Sequence, residues 1–213
     1  MPTRFDARFI YLMIRLFTAL ILAGSLGTVL ADGDADRGKT LTATCVACHG
    51  DNGNSLAGSF PNIAGQSEKY LLKQLRDMQS GARAQNLMAG MVDGLTDQDL
   101  QDLAAYYAGQ PAAEGAANPE LALEGEHIYR SGIARKGVAA CTACHSPTGQ
   151  GNALATFPRL AGQWAEYTEA QLKAFRVGER KNDGESKMMR LSAMDLSDRE
   201  IAAVASYLAG LRQ

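Results

Sequence analysis

Two copies of one short motif hold every cysteine of this chain. They read Cys45-Val46-Ala47-Cys48-His49 and Cys141-Thr142-Ala143-Cys144-His145, which is the C-x-x-C-H spacing at which c-type haem is attached. Within a helix the two thiols lie about one turn apart, so both can form thioethers with the haem vinyl groups while the histidine binds the iron. The motifs therefore predict two covalently bound haem c groups.

A single motif of this kind has two other interpretations, a zinc half-site or a thiol redox pair. The second copy argues against both. The two motifs have equivalent surroundings, and no cysteine is left over to complete a zinc site.

The sequence around the motifs repeats. Residues 60–66, Phe-Pro-Asn-Ile-Ala-Gly-Gln, return as residues 157–163, Phe-Pro-Arg-Leu-Ala-Gly-Gln, and Gly-Asn-Ser-Leu at 53–56 is matched with Gly-Asn-Ala-Leu at 151–154. An internal repeat of this length indicates two copies of one folding unit. We expect domains at residues 32–110 and 119–213, joined by a short linker at 111–118 that is rich in alanine, glycine and proline.

The repeat also selects a second iron ligand among the eight methionines. Counting back seven residues from Leu95 gives Met88, and counting back seven from Leu196 gives Met189. Thioether sulfur is an established axial ligand of c-type haem. Iron ligation is therefore expected from His49 with Met88 and from His145 with Met189. Three methionines that the repeat does not pair are expected to pack in the core: Met91, Met188 and Met194.

His127 and Trp164 are two further candidates for residues near a haem. His127 aligns with Thr40 and so has no equivalent in the first half, which favours a half-exposed helix residue over an iron ligand. Trp164 is expected to pack beside the haem rather than to take part in redox chemistry.

The elements that position these residues are predicted to be helices only. Helical periodicity covers residues 37–48, 67–78 and 96–107 in the first half and residues 120–131, 164–177 and the segment after Ser197 in the second. Thr96 is expected to cap its helix, and Ser197-x-x-Glu200 is a capping box. No alternating run of strand length occurs, so the fold class is all-α.

The first 31 residues predict export. Arg4, Arg8 and Arg15 precede an apolar run at residues 16–30 that ends in a small-residue pattern at Ala31, which is typical of a secretory signal peptide cleaved after Ala31. The periplasm is the expected location. An uncleaved membrane anchor is the open alternative, because residues 9–14 extend the apolar stretch.

The charge of the chain argues against a nucleic-acid partner. The 213 residues carry a formal net charge of −2, and removing residues 1–31 makes it −4. Nucleic-acid-binding proteins show a clustered basic surface, and no basic cluster of that kind is present in this sequence.

With these motifs in place, the chain resembles the di-haem cytochrome c4 family. The resemblance spans nearly all of the chain after residue 31 and includes Tyr-Leu-Leu-Lys-Gln-Leu at 70–75, Asn-Asp-Gly at 182–184 and Met189-Arg190. It implies two tandem class I cytochrome c domains that face each other, with haem propionates near their interface. One departure is that Ala89 follows Met88 where many single-domain relatives have proline, which leaves the choice between Met88 and Met91 open.

The resemblance implies an electron-transfer protein of a respiratory chain and not an enzyme. Its electrons would pass from a cytochrome bc complex toward a terminal haem-copper oxidase. The expected protein is a monomer with redox-protein partners, and peripheral association with the membrane is left open. Two alternatives stay open: a di-haem electron-transfer subunit of a flavocytochrome dehydrogenase, and a di-haem peroxidase.

Overall fold

The helices of the protein form two similar sets, one in each half of the sequence. A computed structural model describes residues 33–212, which lie within one compact unit. The first half holds helices α1 (Ala35–Thr40), α2 (Val46–His49), α3 (Glu68–Gln79) and α4 (Asp97–Ala108). The second half holds α5 (Pro119–Ser131), α6 (Thr142–His145), α7 (Ala165–Arg176), α8 (Met188–Ala193) and α9 (Asp198–Gly210).

Three short 3-10 turns and two isolated β-bridges complete the regular structure of residues 33–212. The 3-10 turns are Thr42–Thr44, Asn86–Met88 and Ala134–Lys136. The bridges join Ile133 to Val138 and Asn152 to Phe157. No β-strand is present in this part of the chain, so the predicted all-α class is confirmed.

The caps of the two terminal helices form as the sequence predicts. The Thr96 hydroxyl accepts the Asp99 amide while the Asp99 carboxylate accepts the Thr96 amide, and Ser197 and Glu200 form the same reciprocal pair before α9. Each pair satisfies amide groups that a helix start leaves without a partner. The bounds of α3, α4, α5 and α7 agree with prediction to within a residue or two.

The helix predicted at 37–48 is wrong as a single element. It divides into α1, the 3-10 turn Thr42–Thr44 and α2. The Thr40 hydroxyl donates to the Arg37 carbonyl oxygen and the Thr42 hydroxyl to that of Lys39, at 2.7 and 2.9 Å. Such side-chain bonds compete with the helix backbone, so the threonine-rich stretch turns instead of continuing.

Each half is built on a close crossing of its first and last helices. A Cβ placed on Gly38 of α1 would lie 2.0 Å from the Asp102 carbonyl oxygen of α4, and one on Gly125 of α5 would lie 2.1 Å from that of Ala203 in α9. Only glycine permits backbones to approach so closely. Beneath the crossings lie two apolar clusters, one with Leu71, Leu103 and Tyr107, the other with Ile128, Tyr129, Ile201 and Val204.

The segment between the halves is fixed by hydrogen bonds. The Asn54 side chain donates to the Pro111 carbonyl oxygen at 2.9 Å and accepts the Ala113 amide at 2.8 Å. At its other end the Asn118 amide donates to the Ser206 hydroxyl at 2.8 Å. Residues 111–118 are without regular secondary structure and are held against both halves.

The predicted signal segment, residues 1–31 with cleavage after Ala31, lies outside the described residues. Within residues 33–212, no helix has both the length and the apolar character needed to cross a membrane.

Candidate haem sites

Both C-x-x-C-H motifs form one turn of helix. In the first half the His49 amide donates to the Cys45 carbonyl oxygen at 2.9 Å, and the Cys48 amide lies 3.2 Å from the same oxygen. Cys45 and Cys48 are therefore one turn apart, as attachment to two vinyl groups requires. Neither cysteine is in a disulfide, and the His49 side chain is buried behind them.

The second motif has the same geometry. The His145 amide donates to the Cys141 carbonyl oxygen at 3.0 Å and the Cys144 amide at 3.2 Å. Cys141 and Cys144 likewise form no disulfide. The structure thus brings each predicted cysteine pair together with its histidine.

Each histidine is held in the tautomer that an iron ligand needs. His49 Nδ1 lies 2.9 Å from the Pro61 carbonyl oxygen, and His145 Nδ1 lies 3.0 Å from that of Pro158. A carbonyl oxygen only accepts, so Nδ1 carries the proton and Nε2 is left with a free lone pair. Burial lowers the pKa of both imidazoles, against the effect of these hydrogen bonds, and favours the neutral ring.

The loops that carry the two prolines are anchored by one glycine each. The Gly53 carbonyl oxygen accepts the amides of Ile63 and Ala64, and the Gly149 carbonyl oxygen accepts those of residues 160 and 161. Both glycines have positive φ, +88° and +69°. Gly149, rather than the Gly151 matched from sequence, therefore takes the place of Gly53, and the second loop is one residue longer.

The predicted methionine ligands lie on separate elements from the motifs. Met88 ends the 3-10 turn Asn86–Met88, and Met189 lies in the first turn of α8; both side chains are half-buried. The prediction that Met91, Met188 and Met194 pack in the core is wrong, since these residues are 51%, 45% and 53% exposed. Their positions on the surface leave Met88 and Met189 as the better shielded thioethers of these loops.

The structure gives His127 and Trp164 different surroundings. His127 is exposed on α5, as expected, and lines a shallow cavity of about 330 Å³ between α5 and the start of α9. Trp164 precedes α7, and its indole Nε1–H donates to the Ser55 hydroxyl of the first half at 2.8 Å. Trp164 is therefore a contact between the two halves.

Two glutamines join the halves in a reciprocal manner that the sequence analysis missed. The Gln163 side chain accepts the Asn62 amide at 2.9 Å and donates to the Asn62 carbonyl oxygen at 2.8 Å. The Gln66 side chain does the same with Arg159, at 2.8 and 2.9 Å. Both glutamines occur in an Ala-Gly-Gln segment that is repeated in the two halves, and this repeat was the one sign of them in the sequence. It does not predict their contacts, because the partners are about 100 residues apart.

Two arginines occupy equivalent places in the same interface. Arg83 donates to Gln74 of its own half and to Tyr167 and Gln171 of the other. Arg180 donates to Gln171 of its own half and to Tyr70 and Gln74 of the other. Arg83 is 6% exposed.

These arginines and histidines fit a haem group. Within residues 33–212, neither Arg83 nor Arg180 is paired with a carboxylate, and a buried cation is costly without an anion. Haem carries two propionate groups, whose carboxylates could pair with these two arginines. Each half also offers two thiols one helical turn apart and a neutral imidazole with a free Nε2, and no cluster of three or more acidic, cysteine or histidine residues in the described chain forms an alternative metal site.

Comparison with known proteins identifies the family of the chain. Residues 35–109 and 124–212 match the sequence family described as Cytochrome c, one match for each half. The chain is 48% identical over 205 residues to cytochrome c4 of Azotobacter vinelandii, with 92% of this chain and 98% of that protein covered. It is 39% identical over 173 residues to the thiosulfate dehydrogenase electron acceptor of Stutzerimonas stutzeri strain A1501, covering 79% of each.

A solved structure gives the same result for the fold. The crystal structure of reduced recombinant cytochrome c4 from Pseudomonas stutzeri superposes with a TM-score of 0.83 at 49% identity and covers 84% of this chain and 100% of that one. Two cytochrome c domains of this type imply two covalently bound haem c groups in an electron-transfer protein that is not an enzyme. The chain therefore belongs to the di-haem cytochrome c4 family and has two tandem cytochrome c domains.

Proposed function

We propose that this protein is a periplasmic electron carrier of a respiratory chain, with His49 and Met88 on one iron and His145 and Met189 on the other. The cysteines of each motif would hold the porphyrin as thioethers. The domains would extend over residues 32–110 and 119–213, with residues 111–118 between them.

The observation that carries this proposal is the fixed tautomer of the two buried histidines. A proton on Nδ1, held by the carbonyl oxygens of Pro61 and Pro158, leaves Nε2 as the only nitrogen that can bind iron. Bound haem supplies a one-electron couple at its iron. The chain's own residues hold the ligands in a dry, fixed arrangement, so that little reorganisation accompanies each electron.

Met88 and Met189 as second ligands would complete the two coordination shells. A shell filled by histidine and methionine has no vacant position for a substrate, so only outer-sphere electron transfer is left to the centre. The membership of an electron-transfer family agrees with this reasoning and disfavours the di-haem peroxidase.

The partners we propose are a cytochrome bc complex as donor and a terminal haem-copper oxidase as acceptor. A second donor is suggested by a specific observation, the 39% identity to a protein named thiosulfate dehydrogenase electron acceptor. A sulfur-oxidising dehydrogenase would then deliver electrons to the same two centres, in a role close to that of the flavocytochrome subunit considered from sequence.

The test is the direction and rate of electron flow with isolated membranes. Protein reduced with one equivalent of dithionite per haem is mixed with oxidase-containing membranes, and the loss of the reduced α-band is followed by stopped flow. We expect cyanide-sensitive reoxidation. Its absence, together with rapid reduction by thiosulfate in the presence of a thiosulfate dehydrogenase, would replace the respiratory assignment with the second one.

Carbon monoxide separates the carrier from an enzyme with an open iron. The reduced protein is expected to bind the gas poorly at neutral pH and to show negligible peroxide turnover. Met88→Ala is the matched positive control, because loss of one ligand opens one iron. Rapid, tight binding of carbon monoxide to the unmodified protein would contradict ligation by both methionines.

A further inference from the structure

The proximal histidine of the first half is linked to the second half through a single peptide group. His49 Nδ1–H donates to the carbonyl oxygen of Pro61 at 2.9 Å. The nitrogen of that same peptide group belongs to Asn62, whose N–H donates to Gln163 Oε1 at 2.9 Å. One amide therefore lies between a histidine of one half and a glutamine of the other.

The second half repeats this arrangement in reverse. His145 Nδ1–H donates to the Pro158 carbonyl oxygen at 3.0 Å. The N–H of the Pro158–Arg159 peptide donates to Gln66 Oε1 of the first half at 2.8 Å. Each proximal histidine thus depends on a glutamine that the other half supplies.

Hydrogen bonds on the two ends of an amide reinforce each other. When the N–H is donated, electron density moves toward the carbonyl oxygen, which becomes a better acceptor. A better acceptor pulls more strongly on the histidine Nδ1–H and makes the imidazole a stronger electron donor, which is how groups beyond the ligands tune a metal. More donation favours the oxidised iron and lowers the reduction potential.

We propose that Gln163 and Gln66 are positioning residues that tune the haem of the opposite half, Gln163 through the Pro61–Asn62 peptide and Gln66 through the Pro158–Arg159 peptide. The inference rests on the proposed ligation of iron by His49 and His145. It makes the potential of each centre depend on the docked state of the two domains, so that parting them would raise both potentials.

The glutamines are held firmly enough for this role. Gln66 is 8% exposed, and its Oε1 also accepts the Ser67 amide at 2.9 Å. Gln163 Oε1 accepts the Trp164 amide at 3.0 Å in the equivalent way. The Nε2 atom of Gln66 donates to the Arg159 carbonyl oxygen, and that of Gln163 donates to the Asn62 carbonyl oxygen. Each side chain is therefore held at both its oxygen and its nitrogen and is not free to turn.

The test is a pair of substitutions in the haem-loaded protein, Gln163→Met and Gln66→Met. Methionine keeps the length of the side chain but removes its oxygen acceptor. Gln163→Met is expected to raise the reduction potential of the first-half haem, by roughly a threefold change in its reduction equilibrium constant, and to leave the other haem unchanged. Gln66→Met is expected to do the reverse.

The imidazole protons give a readout that does not depend on electron flow to a partner. The chain has three histidines, so ¹⁵N-histidine labelling of the reduced protein gives a simple spectrum. Gln163→Met should move the His49 Nδ1–H signal upfield, as a weaker hydrogen bond does, and Gln66→Met that of His145. Following these signals through a reductive titration assigns each potential to its histidine.

A failure of the ligand assignment is seen before any variant is made. If His49 or His145 does not bind iron, its ring protons in the unmodified protein lack the large upfield shifts of a haem ligand. With ligation established, an unchanged Nδ1–H signal and an unchanged potential in both variants would overturn the inference.

Tyr70→Phe and Tyr167→Phe are the matched controls. The Tyr70 hydroxyl accepts from Arg180 at 3.0 Å and the Tyr167 hydroxyl from Arg83 at 2.9 Å, so each variant removes a bond between the halves without touching a glutamine. Neither should shift a single haem selectively. If they reproduce the glutamine effects, or if Gln163→Met shifts the second-half haem instead, general loosening explains the data and the crossed tuning is wrong.

Discussion

Gly38 lies directly against the backbone of Asp102, with its would-be Cβ only 2.0 Å from the Asp102 carbonyl oxygen. The same crossing recurs between Gly125 and Ala203 in the second half. These contacts set the distance between the first and last helices of each domain. In each domain a single glycine therefore determines how closely these two helices pack.

Gly38→Ala is expected to destabilise the haem-loaded protein by about 2–4 kcal/mol, because a backbone atom must move to admit the methyl group. Guanidinium unfolding followed by far-ultraviolet circular dichroism measures the change. Gly94→Ala is the control, since no atom lies within 4 Å of a Cβ at Gly94 and its effect should stay within about 0.5 kcal/mol. Equal effects of the two substitutions would show that the crossing has room for a methyl group.

The acid sensitivity of the second domain should depend on Glu200. Burial raises the pKa of this carboxyl group, but hydrogen bonds from Lys136 and Ser197 outweigh burial and lower the pKa to about 2. Its folded pKa is below its unfolded value near 4.5, so its stabilisation is present above pH 4.5 and is lost as the pH falls toward 2.

Glu200→Gln removes this titration while keeping the shape of the side chain. At pH 6 the variant is expected to unfold with a free energy about 2 kcal/mol below that of the unmodified protein, and the difference should shrink to near zero at pH 2. Urea unfolding at a series of pH values checks this. A difference that is constant from pH 6 to pH 2 would mean that the charge of Glu200 does not contribute.

The features that the sequence predicted well are those encoded within a few residues. Thr96 and Asp99, or Ser197 and Glu200, cap a helix through contacts three residues apart, and each C-x-x-C-H motif fits in one helical turn. Periodicity likewise located the five long helices, which are α3, α4, α5, α7 and α9. The break after Thr40 was missed because side-chain bonds to the backbone there compete with helical propensity.

The contacts between the domains could not be predicted from local sequence patterns. Gln163 meets Asn62 across about 100 residues, and Trp164 meets Ser55 over a similar separation. The alignment of Gly53 with Gly151 failed for a related reason, since the extra residue in the second loop moves the structural equivalent to Gly149. Repeats in the sequence showed that two domains exist, but not which atoms join them.

The indole of Trp164 is expected to report on the domain interface. Its Nε1–H donates to the Ser55 hydroxyl, which donates in turn to the Phe60 carbonyl oxygen at 2.6 Å. Ser55→Ala removes the acceptor, so the indole N–H signal should move upfield and exchange faster with solvent, with a loss of about 1 kcal/mol in stability.

The chain contains one tryptophan, so a single indole peak in a ¹H–¹⁵N spectrum carries this measurement. Ser67→Ala is the control, because the buried Ser67 hydroxyl has no hydrogen-bond partner within the described structure. That variant should leave the indole peak in place. An unchanged peak in Ser55→Ala would contradict the contact between Trp164 and Ser55.

The methionine ligands are open to a direct spectroscopic test. The oxidised protein is expected to show the long-wavelength methionine-to-iron band from both haems. Met88→Ala and Met189→Ala should each remove about half of its intensity, since each variant leaves one thioether–iron bond intact. The double variant should remove the band entirely while both haems stay covalently attached through their cysteines.

Met91→Ala and Met194→Ala are the matched controls, because both residues are about half exposed and follow the proposed ligands by three and five residues. They should keep the full band. If Met91→Ala abolishes half of the band and Met88→Ala does not, the ligand of the first domain is Met91 and the count of seven residues back from Leu95 does not hold there. If Met189→Ala keeps the full band, Met189 is not the ligand of the second domain. Met188 and Met194 are then the remaining candidates in or next to α8.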